Sequence, residues 1–180
     1  FKEPDISTTI EKALGRKPEE IFTSVDSKPF ASASVAQVHR AILKTGDKVV
    51  VKVVRPGIEQ IIRDDIQLLS WLANLIQRRT KIGRRLRPVE IVNDYESVIL
   101  NELNLKSEAA NTVQLARNFN SSLKLYVPKV YWNLTSDNLM TMEQIDGIPV
   151  NDVIQLKQNG IDLKALAETG VDIFFTQVFE

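Results

Sequence analysis

The sequence predicts an α+β fold: an antiparallel sheet, two long helices set between its strand groups, and further helices after it. Three observations carry that prediction. Apolar, alternating stretches cluster at 35–54 and again at 125–145, Thr45-Gly-Asp47 sits where a hairpin turn would join the first two, and residues 58–118 repeat apolar side chains at helical spacing.

Taken in order, Ile6, Ile10, Ala13 and Leu14 fall on one face of a short helix over 6–13, stopped by Gly15. Pro18 to Phe22 suits a single helical turn. Strands follow at Val35–Leu43 and Lys48–Val54, with Gly46 supplying the positive φ their hairpin needs. The first long helix runs from about Ile58 to Gln77 through Ile61, Ile62, Leu69, Leu72 and Ile76, bracketed by Gly57 and Gly83. A second starts at Pro88, a good first-turn residue, and continues to about Asn118 through Val92, Tyr95, Ile99, Leu105, Ala109 and Thr112. Two more strands are expected at Leu125–Trp132, bent or at an edge because of Pro128, and at Leu139–Ile145. Asn151 to Gln158 reads as a short helix ended by Asn159-Gly160, and Asp162 caps a last one.

Composition removes several function classes. The chain has 180 residues, enough for one large domain or two small ones, with 43% hydrophobic and 26% charged residues, as in globular proteins rather than disordered ones. It has no cysteine, so disulfides, thiolate metal sites and thiol nucleophiles are out, and its one histidine, His39, cannot build a histidine-rich metal centre. No metal-ligand cluster is expected. The 23 basic and 23 acidic residues balance, but residues 1–131 carry 21 against 15 and residues 132–180 carry 2 against 8. The basic excess is concentrated in Gln77 to Arg87, six positive residues without an acid, which is either a solvated connector or a contact for phosphate or lipid headgroups. Nucleic-acid binding is not expected, because that run lacks aromatic interleaving and no helix-turn-helix pattern accompanies it. No stretch approaches 18 continuous apolar residues, so this piece is expected to be soluble. Its start at Phe1 without Met, and its stop within the apolar run 174–180, suggest a part of something longer.

The sharpest anomaly is Lys52. In Val49-Val-Val-Lys-Val-Val54 alternation puts Lys52 on the same face as Val50 and Val54. Either the strand is an edge from which the lysine reaches water, or the lysine is buried and needs a fixed anion. Upstream, Phe30-Ala-Ser-Ala-Ser-Val-Ala-Gln-Val38 packs small residues ahead of a strand, where backbone N–H groups can approach a ligand. Loop, strand, turn and Val-Val-Lys within about 20 residues match the order in which kinases place a phosphate loop and its lysine. Carboxylates of the second long helix are the candidate partners. Asn104 and Glu108 share a face of a continuous helix, and Glu102 projects elsewhere. Leu139 to Gly147 is an apolar strand running into a polar turn, the place where a kinase reads adenine with backbone groups.

These motifs together resemble the UbiB family, the atypical protein-kinase-like proteins of ubiquinone biosynthesis, also called the aarF or ABC1-kinase group. The most specific is Ala31-Ser-Ala-Ser-Val-Ala-Gln-Val-His39, similar to the alanine-rich loop with which this family replaces the kinase glycine loop; the others are Val51-Lys-Val-Val-Arg-Pro-Gly57, Asn101 to Asn111 and Thr141 to Gly147. The resemblance implies a protein-kinase-like fold. Residues 1–145 would form an N-terminal lobe, with an inserted long helix at about 58–77, and residues 146–180 the start of a helical C-terminal lobe. ATP or ADP would be bound by Phe30, Ala31, Ser32, Ala33, Ser34, Val35, Ala36, Gln37 and Val38, by Lys52, by Met142 at the gatekeeper position, and by Glu143 to Ile145 as the hinge. Lys52, Glu108, Glu102 and Asn104 would form the catalytic set, with Glu108 pairing Lys52 and with Asn104 replacing the aspartate of the family's E-x-D signature. Mg²⁺ would accompany the nucleotide in the longer protein. The family's K-x-G-Q helix, aspartate loop and D-F-G metal motif do not occur in these 180 residues; the latter two would follow Glu180, so the chain alone is not expected to turn over ATP efficiently. Implied partners are a membrane surface and other quinone-biosynthesis proteins, at the cytoplasmic side of the inner membrane. The alternative is a non-catalytic interaction module built on residues 78–87.

Overall fold

The computed structural model describes residues 5–120 and 122–179; Phe1 to Pro4, Ser121 and Glu180 lie outside it. Its centre is an antiparallel sheet of β1 (Phe22–Val25), β3 (Ala36–Leu43), β4 (Lys48–Val54) and β5 (Leu139–Glu143) in that order, with the two-residue β2 (Ala31–Ser32) pairing β3. The β3–β4 hairpin turns through Gly46 at φ 92°, and its register sets Val38 opposite Lys52. On its other side β4 pairs β5, with Lys52 opposite Met140. Lys52 therefore stands on a central strand, which removes the edge-strand reading.

Alternation along β4 gives the sheet two covered faces. Val49, Val51 and Val53 pack with Leu139, Phe22, Ala41 and Leu43 against Ile6 and Ile10 of α1 (Ile6–Leu14) and Ile21 of α2 (Pro18–Ile21). Asp5 caps α1 by accepting from the Ser7 N–H, and Gly15, left-handed at φ 67°, ends it. The opposite face, with Val54 and Met140, is closed by Leu103, Leu105, Ala109 and Val130. His39 is buried and its Nδ1 donates to the Asp26 carbonyl at 2.8 Å, which fastens β3 to the β1–β2 link and leaves the ring no task in the cleft described below.

Between β4 and β5 lie α3 (Ile58–Arg79), α4 (Lys81–Leu86), α5 (Pro88–Glu102) and α6 (Leu105–Asn118). Gly83 does more than mark the end of the first long helix. Thr80 caps α4 by accepting the Gly83 N–H at 2.8 Å, and this tight corner brings Gly83 against the Ile76 carbonyl of α3. α5 then folds back along α3.

Two expectations fail. The helix expected over 88–118 is broken: α5 ends at Glu102, and Asn104, extended at φ −94° and ψ 93°, starts α6 by accepting the Ser107 N–H on its side-chain oxygen. Asparagine competes with the helix for backbone groups and is favoured at such a cap. The strand expected at Leu125–Trp132 does not form. Only Val130 bridges to Met142; Pro128 has no N–H, and the Lys129 N–H that would carry the ladder onward goes to the Glu143 carboxylate at 3.2 Å. Beyond Tyr131 the chain enters a 3₁₀ turn at Trp132–Leu134. α7 (Val153–Gln158), capped by Asp152, and α8 (Leu163–Phe179) follow β5, and Asp162 accepts from the Lys164 N–H as the sequence suggests. Among the described residues no helix is long and apolar enough to cross a membrane.

Candidate nucleotide-binding site

One cleft of about 590 Å³ gathers most of the charged candidates. It is lined by the hairpin tip Ala33, Ser34, Val35 and Ala36, by Lys52, by Glu102, Asn104 and Glu108, and by Val98, Asn101, Ser107 and Asn111. The tip is narrow: Ala33 N–H donates to the Ala36 carbonyl at 2.9 Å, between β2 and β3. None of its residues has a positive φ, since Arg87 is the sole non-glycine with one among the described residues. Alanine and serine fit here because nothing in the turn requires the left-handed conformations that a Cβ resists.

Lys52 leaves the sheet toward α6. Its Nζ lies 2.7 Å from both Oε1 and Oε2 of Glu108. The lysine side chain is 19% exposed and the glutamate 41%, so the pair stands at the cleft wall with its carboxylate side wetted. α6 is held in place for this contact by buried Leu105 and Ala109, by the Leu105 N–H bonded to the Asp137 carbonyl at 2.8 Å, and by a Lys106–Asp137 ion pair at 3.2 Å. Capping at Asn104 fixes where α6 begins and so which side of it Glu108 occupies.

Helix-wheel reasoning over an unbroken helix separates Glu102 from Asn104 and Glu108. The break at Leu103 overturns it, and all three border the cleft. The Asn104 oxygen is occupied by the Ser107 N–H, so this side chain acts as a helix cap. Among the described residues no cluster of three metal-ligating side chains occurs, and Glu102 makes no ion pair. Val98 escaped the sequence reading, and Asn101, Ser107 and Asn111 stood within the Asn101–Asn111 motif without a role at the site. The 104, 107, 108, 111 spacing of polar residues was the available signal, a stripe on one face of α6.

Other candidates lie outside this cleft. Phe30 is exposed with the Arg40 guanidinium 4.7 Å from its ring centre, and Ala31, Ser32, Gln37 and Val38 belong to the β2–β3 ladder behind the tip. Met142 packs on the α6-covered face, in line with Met140 and Lys52. Glu143 accepts from the Tyr126 hydroxyl at 2.6 Å and from the Lys129 N–H, and Ile145 is exposed. The Glu143 hydrogen bond raises the Tyr126 phenol above its ordinary value.

A family model for the ABC1 atypical kinase-like domain matches residues 1–180. The chain belongs to the ABC1 atypical kinase-like family. Among named ABC1 relatives, "Probable protein kinase UbiB" of Cellvibrio japonicus is 52% identical over 180 residues, all of this chain and 33% of that protein. Its namesake in Pseudomonas aeruginosa strain LESB58 is 55% identical over 170 residues, 94% of this chain and 32% of that protein. The chain thus spans about a third of the length of these relatives. A solved structure from Mycobacterium tuberculosis, Rv3197 in complex with erythromycin, superposes with a TM-score of 0.69 at 27% identity over 82% of this chain and 37% of that one. The fold is accordingly kinase-like, of α+β character.

Proposed function

We propose that this chain is the ATP-binding part of a UbiB-type atypical kinase or ATPase that supports ubiquinone biosynthesis. The observation that carries the reading is the Lys52–Glu108 pair set beneath a small-residue hairpin tip in one cleft. In kinase-like sites this pair holds the lysine against the α- and β-phosphates, while backbone N–H groups of a covering loop meet the phosphate oxygens. Ala33 to Ala36 and Lys52 would bind the phosphates, and Phe30 to Ser32 with Gln37 and Val38 would support that turn from the ladder. Glu108 would orient Lys52, and Asn104 would fix the start of α6.

The adenine would lie along β5 beyond Met142. The Glu143 N–H is taken by the Lys129 carbonyl and the Gln144 N–H by Lys48, whereas the Glu143 carbonyl and the Ile145 N–H bond nothing among the described residues. An acceptor and a donor two residues apart suit the donor and acceptor edge of adenine. Mg²⁺ would be carried chiefly by the nucleotide's phosphates, as is usual for this ion. Glu102 is the carboxylate in the cleft without an ion pair among the described residues and so the one able to approach it; Asn104, its oxygen committed to a cap, contributes no charge. On this reading residues 1–145 are the nucleotide lobe and 146–180 begin the next. Lys52→Met should abolish the thermal shift produced by ATP, and an undiminished shift would overturn the assignment.

A second reading concerns where the protein works. Leu68, Trp71, Ile82 and Leu86 are exposed on α3 and α4 beside Arg78, Arg79, Lys81, Arg84 and Arg85. Apolar side chains flanked by cations suit a membrane surface rich in anionic lipid, which would place the protein near a quinone pathway and its other proteins. Binding to phosphatidylglycerol vesicles that weakens with salt supports this; no binding at low salt removes it.

A further inference from the structure

Arg55 stands three residues beyond Lys52, just past the end of β4, and does not line the nucleotide cleft. It borders a separate cleft of about 480 Å³ shared with Lys12, Gly57 and Asn138. From there it makes two contacts with the hairpin tip. Its backbone N–H donates to the Val35 carbonyl at 2.9 Å, extending the β3–β4 ladder by one pair, and its guanidinium Nη2 donates to the Ala33 carbonyl at 3.3 Å. Its Nε is buried without a partner, so the side chain gives up solvent to reach that carbonyl.

The consequence follows from the peptide unit. A trans peptide carries its C=O and N–H on opposite edges, and no cis bond occurs among the described residues. Turning the Ala33 oxygen toward Arg55 turns the Ser34 N–H away from it, toward the cleft that Ala33 and Ser34 line. Neither the Ser34 nor the Val35 N–H finds an acceptor among the described residues. Left free, the Ala33 carbonyl could rotate into the cleft and oppose a phosphate with its negative end.

We infer that Arg55 is a positioning residue for phosphate binding: it holds the Ala33 carbonyl outward and thereby aims the Ser34 N–H at a nucleotide's phosphate oxygens. This rests on the nucleotide reading above. It deepens that reading by naming a residue outside the cleft that sets affinity for the phosphates and leaves affinity for the nucleoside untouched.

The test is calorimetric titration of the chain and of Arg55→Met with ATP and with adenosine, alongside their melting temperatures. Loss of this exposed 3.3 Å hydrogen bond, counted at the strength of an ordinary one, should weaken ATP about three- to tenfold and leave adenosine unchanged. Arg55→Lys keeps a donor within reach of the Ala33 oxygen and should recover part of that loss; it also serves if the methionine variant folds poorly. Unchanged ATP affinity, or equal losses for ATP and adenosine, overturns the inference while the nucleotide reading stands. Absence of ATP binding in the unmodified chain overturns both.

Discussion

Breaking the Lys52–Glu108 pair from its two ends should have unequal costs. The ammonium reaches both carboxylate oxygens at 2.7 Å, with 19% of the lysine and 41% of the glutamate side chain exposed. Exposed pairs couple by about 0.2–1 kcal/mol, and losing one partner of a fully buried pair costs about 3–5 kcal/mol. Water at Glu108 discounts the buried figure, which leaves a coupling of about 1–2 kcal/mol, or about 2–8 °C in melting temperature for a chain of this length. Glu108→Gln strands the ammonium of a largely covered side chain on a central strand, whereas Lys52→Met leaves a carboxylate that can swing to solvent. The glutamine variant should therefore be the less stable of the two. Urea unfolding of the parent, both single variants and the double variant gives the coupling directly. A value under about 0.3 kcal/mol, within the scatter of independent sites, or a costlier Lys52→Met, would rule out a coupled pair with the lysine as its drier end.

Gly83→Ala should destabilise by about 1–3 kcal/mol, read by urea unfolding, because its Cβ would meet the Ile76 carbonyl carbon and the Thr80 hydroxyl, each at 2.7 Å. Asn104→Ala should cost about 1 kcal/mol of stability and Asn104→Asp almost nothing, since aspartate caps equally well; equal losses would deny the capping role. The Tyr126 phenol, raised above 10.0 by its bond to Glu143, should ionise late in an ultraviolet pH titration and return to normal in Glu143→Gln. The folded state holds that proton more tightly than the unfolded chain does. Its stabilisation is thus complete below pH 10.0 and is lost as pH rises through the raised value.

Much of the sheet was legible because its signals are local. Gly46 marks the hairpin, and the valines around Lys52 both fix the alternation and expose the one charge that needs a partner. That charge alone left both an edge strand and a buried ion pair open; the neighbour β5, more than 80 residues away in sequence, decides between them. The break at Leu103 was hidden because no proline or glycine announces it, and a single asparagine cap does not interrupt an apolar period of 3.6. Its loss misplaced Glu102, which shows how one cap controls which carboxylates share a cleft. Residues 125–132 read as a strand by composition, but the Glu143 side chain takes the backbone donor that would have extended it, a competition that no local pattern reveals.

Hydrogen exchange with and without ATP reads nucleotide contact amide by amide across the hairpin tip, α6 and the end of β5. ATP should slow exchange at the Ser34 and Val35 amides, along 104–111 and at Ile145, and none of this slowing should appear in the Lys52→Met variant. Protection confined to the α1–α3 side around Lys12 and Gly57 would put the nucleotide in the other cleft, and none at saturating ATP would rule out nucleotide binding by this chain.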